Sequence, residues 1–177
     1  CMMESISGTV HAAEQAANMS STDVTVVDSH TTDRCMAFQI IEAAKVIENG
    51  GSVEDTVAKM QDVFSKSKLF LAIDKLDNLV AGGRVNRFAG TLSKLLNIKV
   101  MLEIKDGEIT IDSKGRGTKY IHKTWERILK QMADGPKVKA IGISDVQATK
   151  EVAWLKERLE KLFPDIDIVV RETVPII

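Results

Sequence analysis

Three stretches of this sequence place hydroxyl-bearing, glycine or basic residues where they can hold an anion. The first is Ser5-Ile6-Ser7-Gly8-Thr9, which leads into an alanine-rich run. At the start of a helix, unpaired backbone N–H groups and the positive end of the helix dipole favour a carboxylate or phosphate. Gly8 lets a ligand approach the backbone, and Ser7 and Thr9 supply hydroxyls. The same residues also fit a plain helix cap at Ser7. The second stretch is Gly82-Gly83-Arg84-Val85-Asn86-Arg87. Its glycines suit the end of a preceding helix, and an arginine beside such a turn suits a bidentate clamp on an oxyanion. The third, Ser113-Lys114-Gly115-Arg116-Gly117-Thr118-Lys119, is basic and glycine-spaced. It lacks the spacing of a phosphate-binding P-loop and reads rather as a solvated basic turn.

The histidines form no catalytic set. His11, His30 and His122 fall on separate predicted elements. In Asp28-Ser29-His30 an acid, a hydroxyl and an imidazole are consecutive, but adjacent side chains of an extended chain point apart. Turn chemistry explains that tripeptide better than a triad. No sequence pattern of a zinc protease, a serine hydrolase or a redox dithiol is present.

The elements that must position these residues alternate between helical and extended periodicity. Helices are expected over residues 8–19, 34–49 and 53–65. The second of these has Phe38, Ile41, Ala44, Lys45 and Val46 near one face and ends at Gly50-Gly51. Ser52 and Asp55 fit a capping box for the third. Strands are expected over 24–28, 69–73, 98–104, 108–111, 139–144 and 166–170. Asp106-Gly107 supplies the two positive-φ positions of a tight hairpin. Further helices are expected over 76–81, 86–96, 118–132 and 147–162. Ile121, Trp125, Ile128, Leu129 and Met132 form the inner face of the one over 118–132.

This order predicts an α/β protein with two subdomains. Residues 1–66 read as the remainder of a parallel-sheet domain that is short of strands. Residues 67–177 read as a second domain with a mixed sheet, an antiparallel hairpin and packed helices. The 177 residues carry 24 Lys and Arg against 25 Asp and Glu, a balance that argues against a nonspecific nucleic-acid coat. No apolar run approaches the roughly 20 residues of a spanning helix. Of two cysteines, Cys35 reads as a small buried hydrophobe, and no metal-ligand spacing occurs.

The same residues carry a family resemblance. Ile6-Ser7-Gly8-Thr9-Val10-His11-Ala12-Ala13 resembles the second half of the DegV-family signature Ile-Ser-Ser-x-Leu-Ser-Gly-Thr and its helix. Val26-Val27-Asp28-Ser29 and Ile40-Ile41-Glu42-Ala43-Ala44-Lys45 follow in order. Asp74-Lys75-Leu76-Asp77-Asn78-Leu79-Val80-Ala81-Gly82-Gly83-Arg84-Val85 is similar to the family's Gly-Gly-Arg segment. Leu95-Leu96-Asn97-Ile98-Lys99 has Val100 where the family has proline. Asp106-Gly107-Glu108-Ile109 and Gly115-Arg116-Gly117 continue the register.

The resemblance implies a binding protein of the EDD fold, not an enzyme, and no cofactor. Its ligand would be one long-chain fatty acid such as palmitate, stearate or oleate. Ser5, Ser7, Gly8, Thr9 and Arg84 would hold the carboxylate. A separate fatty-acid kinase would receive the acid for phospholipid synthesis in the bacterial cytoplasm, with transient contact at a membrane surface. The signature's paired serines fall at Met3 and Glu4, and a carboxylate at Glu4 repels an anion in a desolvated site. Family segments expected before residue 1 and after residue 177 imply a fragment that, by itself, binds palmitate or oleate weakly or not at all. The alternative is a regulatory or interaction domain of the same fold without ligand.

Overall fold

The computed structural model of the chain describes residues 1–77, 81–83 and 98–173. The order of elements is α1 (Thr9–Asn18), α2 (Asp33–Glu48), α3 (Val53–Ser65), β1 (Leu69–Ile73), β2 (Lys99–Lys105), β3 (Glu108–Gly115), α4 (Thr118–Asp134), β4 (Ile141–Asp145), α5 (Thr149–Leu162) and β5 (Ile168–Glu172). The helix expected over 86–96, and most of the one over 76–81, lie outside the described residues. The chain is α/β throughout. It divides into two compact units, Cys1–Arg116 and Gly117–Ile177, whereas the sequence division lies at 66/67, where α3 gives way to β1.

In the first unit, β1, β2 and β3 form an antiparallel sheet with β2 central. Lys105 pairs with Glu108 across the turn, so Asp106 (φ 54°) and Gly107 (φ 77°) are its two central residues. That is the mirror-image turn whose twist matches the strands it joins. Val100 and Leu102 pack with Leu71, Ile73, Ile109 and Ile111. Met101, on the opposite face of the same strand, is also fully buried, so β2 is covered on both sides.

The capping box at α3 is present. The Ser52 N–H donates to Asp55 Oδ2 (3.0 Å) and the Asp55 N–H to Ser52 Oγ (3.1 Å). The Ser52 N–H, and then the Ser52 hydroxyl that donates to the same Oδ2 (2.9 Å), hold the Asp55 carboxyl below its ordinary value. α2 is where expected but buries a different face, made of Cys35, Gln39 and Ala43, while Ile41 and Ala44 are exposed. Apolar residues occur nearly all round this helix, so periodicity singles out no side. The partners that pack against it choose one.

The strand expected over 24–28 is not formed. Residues 23–29 carry no regular element, because a strand needs a continuous ladder and the backbone bonds of this segment to the start of the chain do not make one. There the Cys1 amino group donates to the Val27 carbonyl (2.7 Å) and the Ser29 N–H to the Cys1 carbonyl (3.0 Å). The Met3 N–H donates to the Thr31 carbonyl (3.0 Å). Both segments run in the same direction.

In the second unit, β4 and β5 pair in parallel as a separate two-stranded sheet. The parallel and antiparallel pairings therefore belong to different sheets. Leu129, Ile141, Ile143, Leu155, Leu159 and Ile168 form the core, with Trp125 and Met132 packed against it. His122 stacks on Trp154 at 4.1 Å between ring centroids, and the Arg158 guanidinium lies 3.9 Å from the same indole.

Candidate functional site

The hydroxyl segment opens α1 as expected. Gly8 is the N-cap residue, and no side chain caps the helix from that position. Ser7, one residue earlier, accepts the Thr9 N–H (3.2 Å) and donates its hydroxyl hydrogen to Thr9 Oγ1 (3.1 Å). Ser7 is therefore not the N-cap, although it satisfies one N–H of the first turn. A side chain at Gly8 would meet no atom within 4 Å. Two hydroxyls thus flank open backbone at the positive end of a helix.

Tertiary contacts fix this segment on both sides. Met3 is fully buried and Val10 nearly so. The Ser5 hydroxyl donates to the Gly107 carbonyl (2.8 Å) at the β2–β3 turn. The Glu4 N–H donates to Asp28 Oδ2 (3.2 Å). The Glu4 carboxylate is 3.0 Å from His11 Nε2 at an exposed position, so its charge faces an imidazole one turn into α1. Met3 and Glu4, which fall where the signature has serines, thus serve the core and this surface pair.

Asp28-Ser29-His30 is a turn. His30 has φ 53°, its N–H donates to Asp28 Oδ1 (2.9 Å), and its Nδ1 lies 3.3 Å from Asp28 Oδ2. Ser29, almost wholly buried, donates its hydroxyl hydrogen to the Thr31 carbonyl (2.9 Å). With that proton committed to a carbonyl, Ser29 and His30 are not a nucleophile and base pair. Gln39 Nε2 completes the cluster by donating to the Ser29 carbonyl (2.9 Å). Neither Gln39 nor the link from Ser5 to Gly107 was visible in the sequence, since no local pattern announces a hydrogen bond across 102 positions.

Arg84 lies outside the described residues. Before it, Gly83 has φ 68°, the left-handed conformation in which glycine ends helices. Lys99, largely buried, pairs with Asp74. The basic stretch at 113–119 is not one loop, because Ser113, Lys114 and Gly115 complete β3 and Gly117 (φ 75°) precedes α4. A shallow groove of about 310 Å³ is lined by Glu42, Lys45, Val46, Asn49, Gly51, Asp55 and Lys59. Its walls are charged and partly ion-paired, Glu42 with both Lys45 and Lys59, which does not suit an alkyl chain. Among the described residues no helix is long and apolar enough to cross a membrane. No group of three or more His, Cys, Asp or Glu among them could hold a metal ion.

The DegV family model matches residues 2–177 of this chain. The chain belongs to the DegV family. A DegV domain-containing protein of Streptococcus pneumoniae is 40% identical over 161 residues, which cover 91% of this chain and 56% of that protein. The chain thus spans little more than half the length of that DegV relative. The DegV fatty-acid-binding protein of Bacillus subtilis shares the fold, with a TM-score of 0.79, 24% identity and coverage of 97% of this chain and 61% of the other. A DegV-family protein of Thermus thermophilus, described by its fatty-acid binding, has a TM-score of 0.71 and 27% identity, with 97% and 61% covered.

Proposed function

We propose that this chain is part of a protein that holds a long-chain fatty acid, such as palmitate, stearate or oleate, and presents its carboxylate to a partner fatty-acid kinase. What carries this reading is the open backbone at Gly8, between the Ser7 and Thr9 hydroxyls at the start of α1, in a chain of the DegV family. A carboxylate there accepts hydrogen bonds from the Thr9 hydroxyl, which Ser7 orients by donating to Thr9 Oγ1, and from first-turn N–H groups, and the helix dipole favours its charge. Arg84 supplies the cation that closes the site. Each buried methylene of the acyl chain contributes about 0.8 kcal/mol, so the chain sets affinity and the polar groups set orientation. In this reading residues 1–66 belong to one α/β domain and residues 67–177 to a second. The protein binds and presents the acid in the cytoplasm and performs no chemistry on it.

The test is to purify the protein as its gene encodes it, extract bound lipid and identify it by mass spectrometry. The delipidated protein is then titrated with palmitate, stearate and oleate. We expect stoichiometric long-chain acid in the extract, and Arg84→Ala to weaken rebinding by about ten- to a hundred-fold, the worth of a hydrogen bond to a charged group. An empty extract together with no rebinding would sink the reading in favour of an interaction domain without ligand. Unchanged affinity in Arg84→Ala would remove that residue from the site.

A further inference from the structure

The Ser5 hydroxyl has one proton, and it is donated to the Gly107 carbonyl at 2.8 Å. A carboxylate only accepts hydrogen bonds, so Ser5 cannot give that same proton to a ligand. The surroundings of the bond indicate a different task. Gly107 is in the left-handed region, and a Cβ built on it would lie 3.4 Å from both Cβ and Nδ1 of His30. The turn carbonyl that Ser5 grips is thus on a residue backed by the His30 side chain. His30 is itself fixed by Asp28 through its N–H and its ring nitrogen, and its ring lies 5.6 Å from that of Phe64 on α3. The same Asp28 carboxylate receives the N–H of Glu4, the residue before Ser5.

We propose that Ser5 is a positioning residue rather than a carboxylate ligand. With Gly107, His30 and Asp28 it closes a circuit that latches the Ser7-Gly8-Thr9 cradle to the β2–β3 turn. Glu4 and Ser5 are held from two sides, by Asp28 and by Gly107. Ser7 follows two residues later and α1 begins at Thr9. Little chain remains between latch and cradle to absorb movement, so the direction in which the hydrogen-bonded Ser7–Thr9 pair faces a ligand depends on the latch. Preorganised donors bind better than donors that must be ordered on binding.

The inference rests on the fatty-acid reading above, and its test separates the two. Affinities for palmitate and for its methyl ester are measured on the delipidated protein as its gene encodes it. Both ligands place the same alkyl chain, and only the acid has an anionic head. A residue that merely stabilises the fold lowers both affinities together, whereas a residue that aims the cradle lowers the preference for acid over ester. We expect Ser5→Ala to reduce that preference about five-fold, the worth of one neutral hydrogen bond, and Ser5→Thr, which keeps the hydroxyl, to restore it. Amide exchange at Thr9 and Val10 should quicken in Ser5→Ala and return in Ser5→Thr. If Ser5→Ala folds poorly, Ser5→Cys, similar in size with only a weak S–H donor, takes its place with the same expected loss. A wild-type preference that Ser5→Ala or Ser5→Cys leaves unchanged overturns the latch alone. Wild-type protein that binds neither ligand overturns the fatty-acid reading and the latch with it.

Discussion

Gln39→Leu is the substitution whose consequence follows most directly from the structure. Gln39, Ser29 and Thr31 are each at most 2% exposed, so the bonds among them have no water to replace them. The Gln39 amide is the side-chain donor to the Ser29 carbonyl. Ser29 in turn donates to the Thr31 carbonyl and accepts the Thr31 N–H at 3.3 Å. Leucine fills nearly the same volume but leaves the Ser29 carbonyl without this donor, at about 1–3 kcal/mol for a buried unsatisfied group. The added apolar burial offsets part of this, leaving roughly 1–2 kcal/mol. With a urea m-value of about 2 kcal/mol/M, the midpoint falls by roughly 0.5–1 M.

Gln39→Glu should cost more, about 3 kcal/mol or above, because it sets a carboxylate against a carbonyl where neither can donate and burial penalises the charge. The assay must report on this unit. Trp125 and Trp154, the two tryptophans, lie on α4 and α5 in the other unit, so indole fluorescence is the wrong probe. Far-UV circular dichroism during urea unfolding, with amide exchange read at Ser29 and Thr31, follows the affected residues. A Gln39→Leu midpoint equal to wild type, or a glutamate no more costly than leucine, would refute the reasoning.

Ser52→Ala removes the side-chain half of the α3 capping box and should destabilise that helix by about 1 kcal/mol, measured as a lower urea midpoint by circular dichroism at neutral pH. Asp55 is held below the ordinary 3.8 by Ser52. Its contribution is therefore present above the unfolded value and is lost as pH falls through the lower folded one. The gap between Ser52→Ala and wild type should narrow on acidification, and a gap constant from pH 7 to pH 2 would contradict this. For the thiols, an Ellman titration of the native protein at pH 8 should label exposed Cys1 quickly and Cys35 only on unfolding. Burial, then the charge of Asp33, pushes the Cys35 thiol up to about 11 from 9.0. Stability from the neutral buried thiol is full below about pH 9 and is lost as pH rises through about 11. Equal labelling rates for both cysteines at pH 8 would show that Cys35 is not shielded.

Where local chemistry dominates, sequence and structure agree closely. β1 occupies the five expected residues, the Asp106-Gly107 turn has both positive φ values, and the Ser52–Asp55 box forms. Each depends on neighbours within a few positions. The α4 face also follows the periodic pattern, with Ile121, Ile128 and Leu129 buried among polar residues that leave no other choice. At α2 the pattern failed, because isoleucines and alanines lie on several sides and Gln39, a polar residue, is among the most buried. Residues 24–28 have the β-branched composition of a strand, yet pairing is a property of two segments, and the bond from Cys1 to the Val27 carbonyl is too little to make a ladder.

The candidate site divides in the same way. The order and types of Ser7, Gly8 and Thr9 ahead of an alanine-rich run determined, by themselves, that a helix begins there with hydroxyls at its positive end. Sequence also determined the family, because the Gly82-Gly83-Arg84 segment and its companions hold their spacing along the chain. Only the tertiary structure decided that Ser5 turns its proton to Gly107, that His30 backs that glycine, and that Gln39 closes a buried polar cluster. The reason is physical. Helix starts and tight turns are settled by backbone sterics and nearest-neighbour hydrogen bonds, whereas the direction of a hydroxyl is settled by whichever acceptor folding brings within 3 Å.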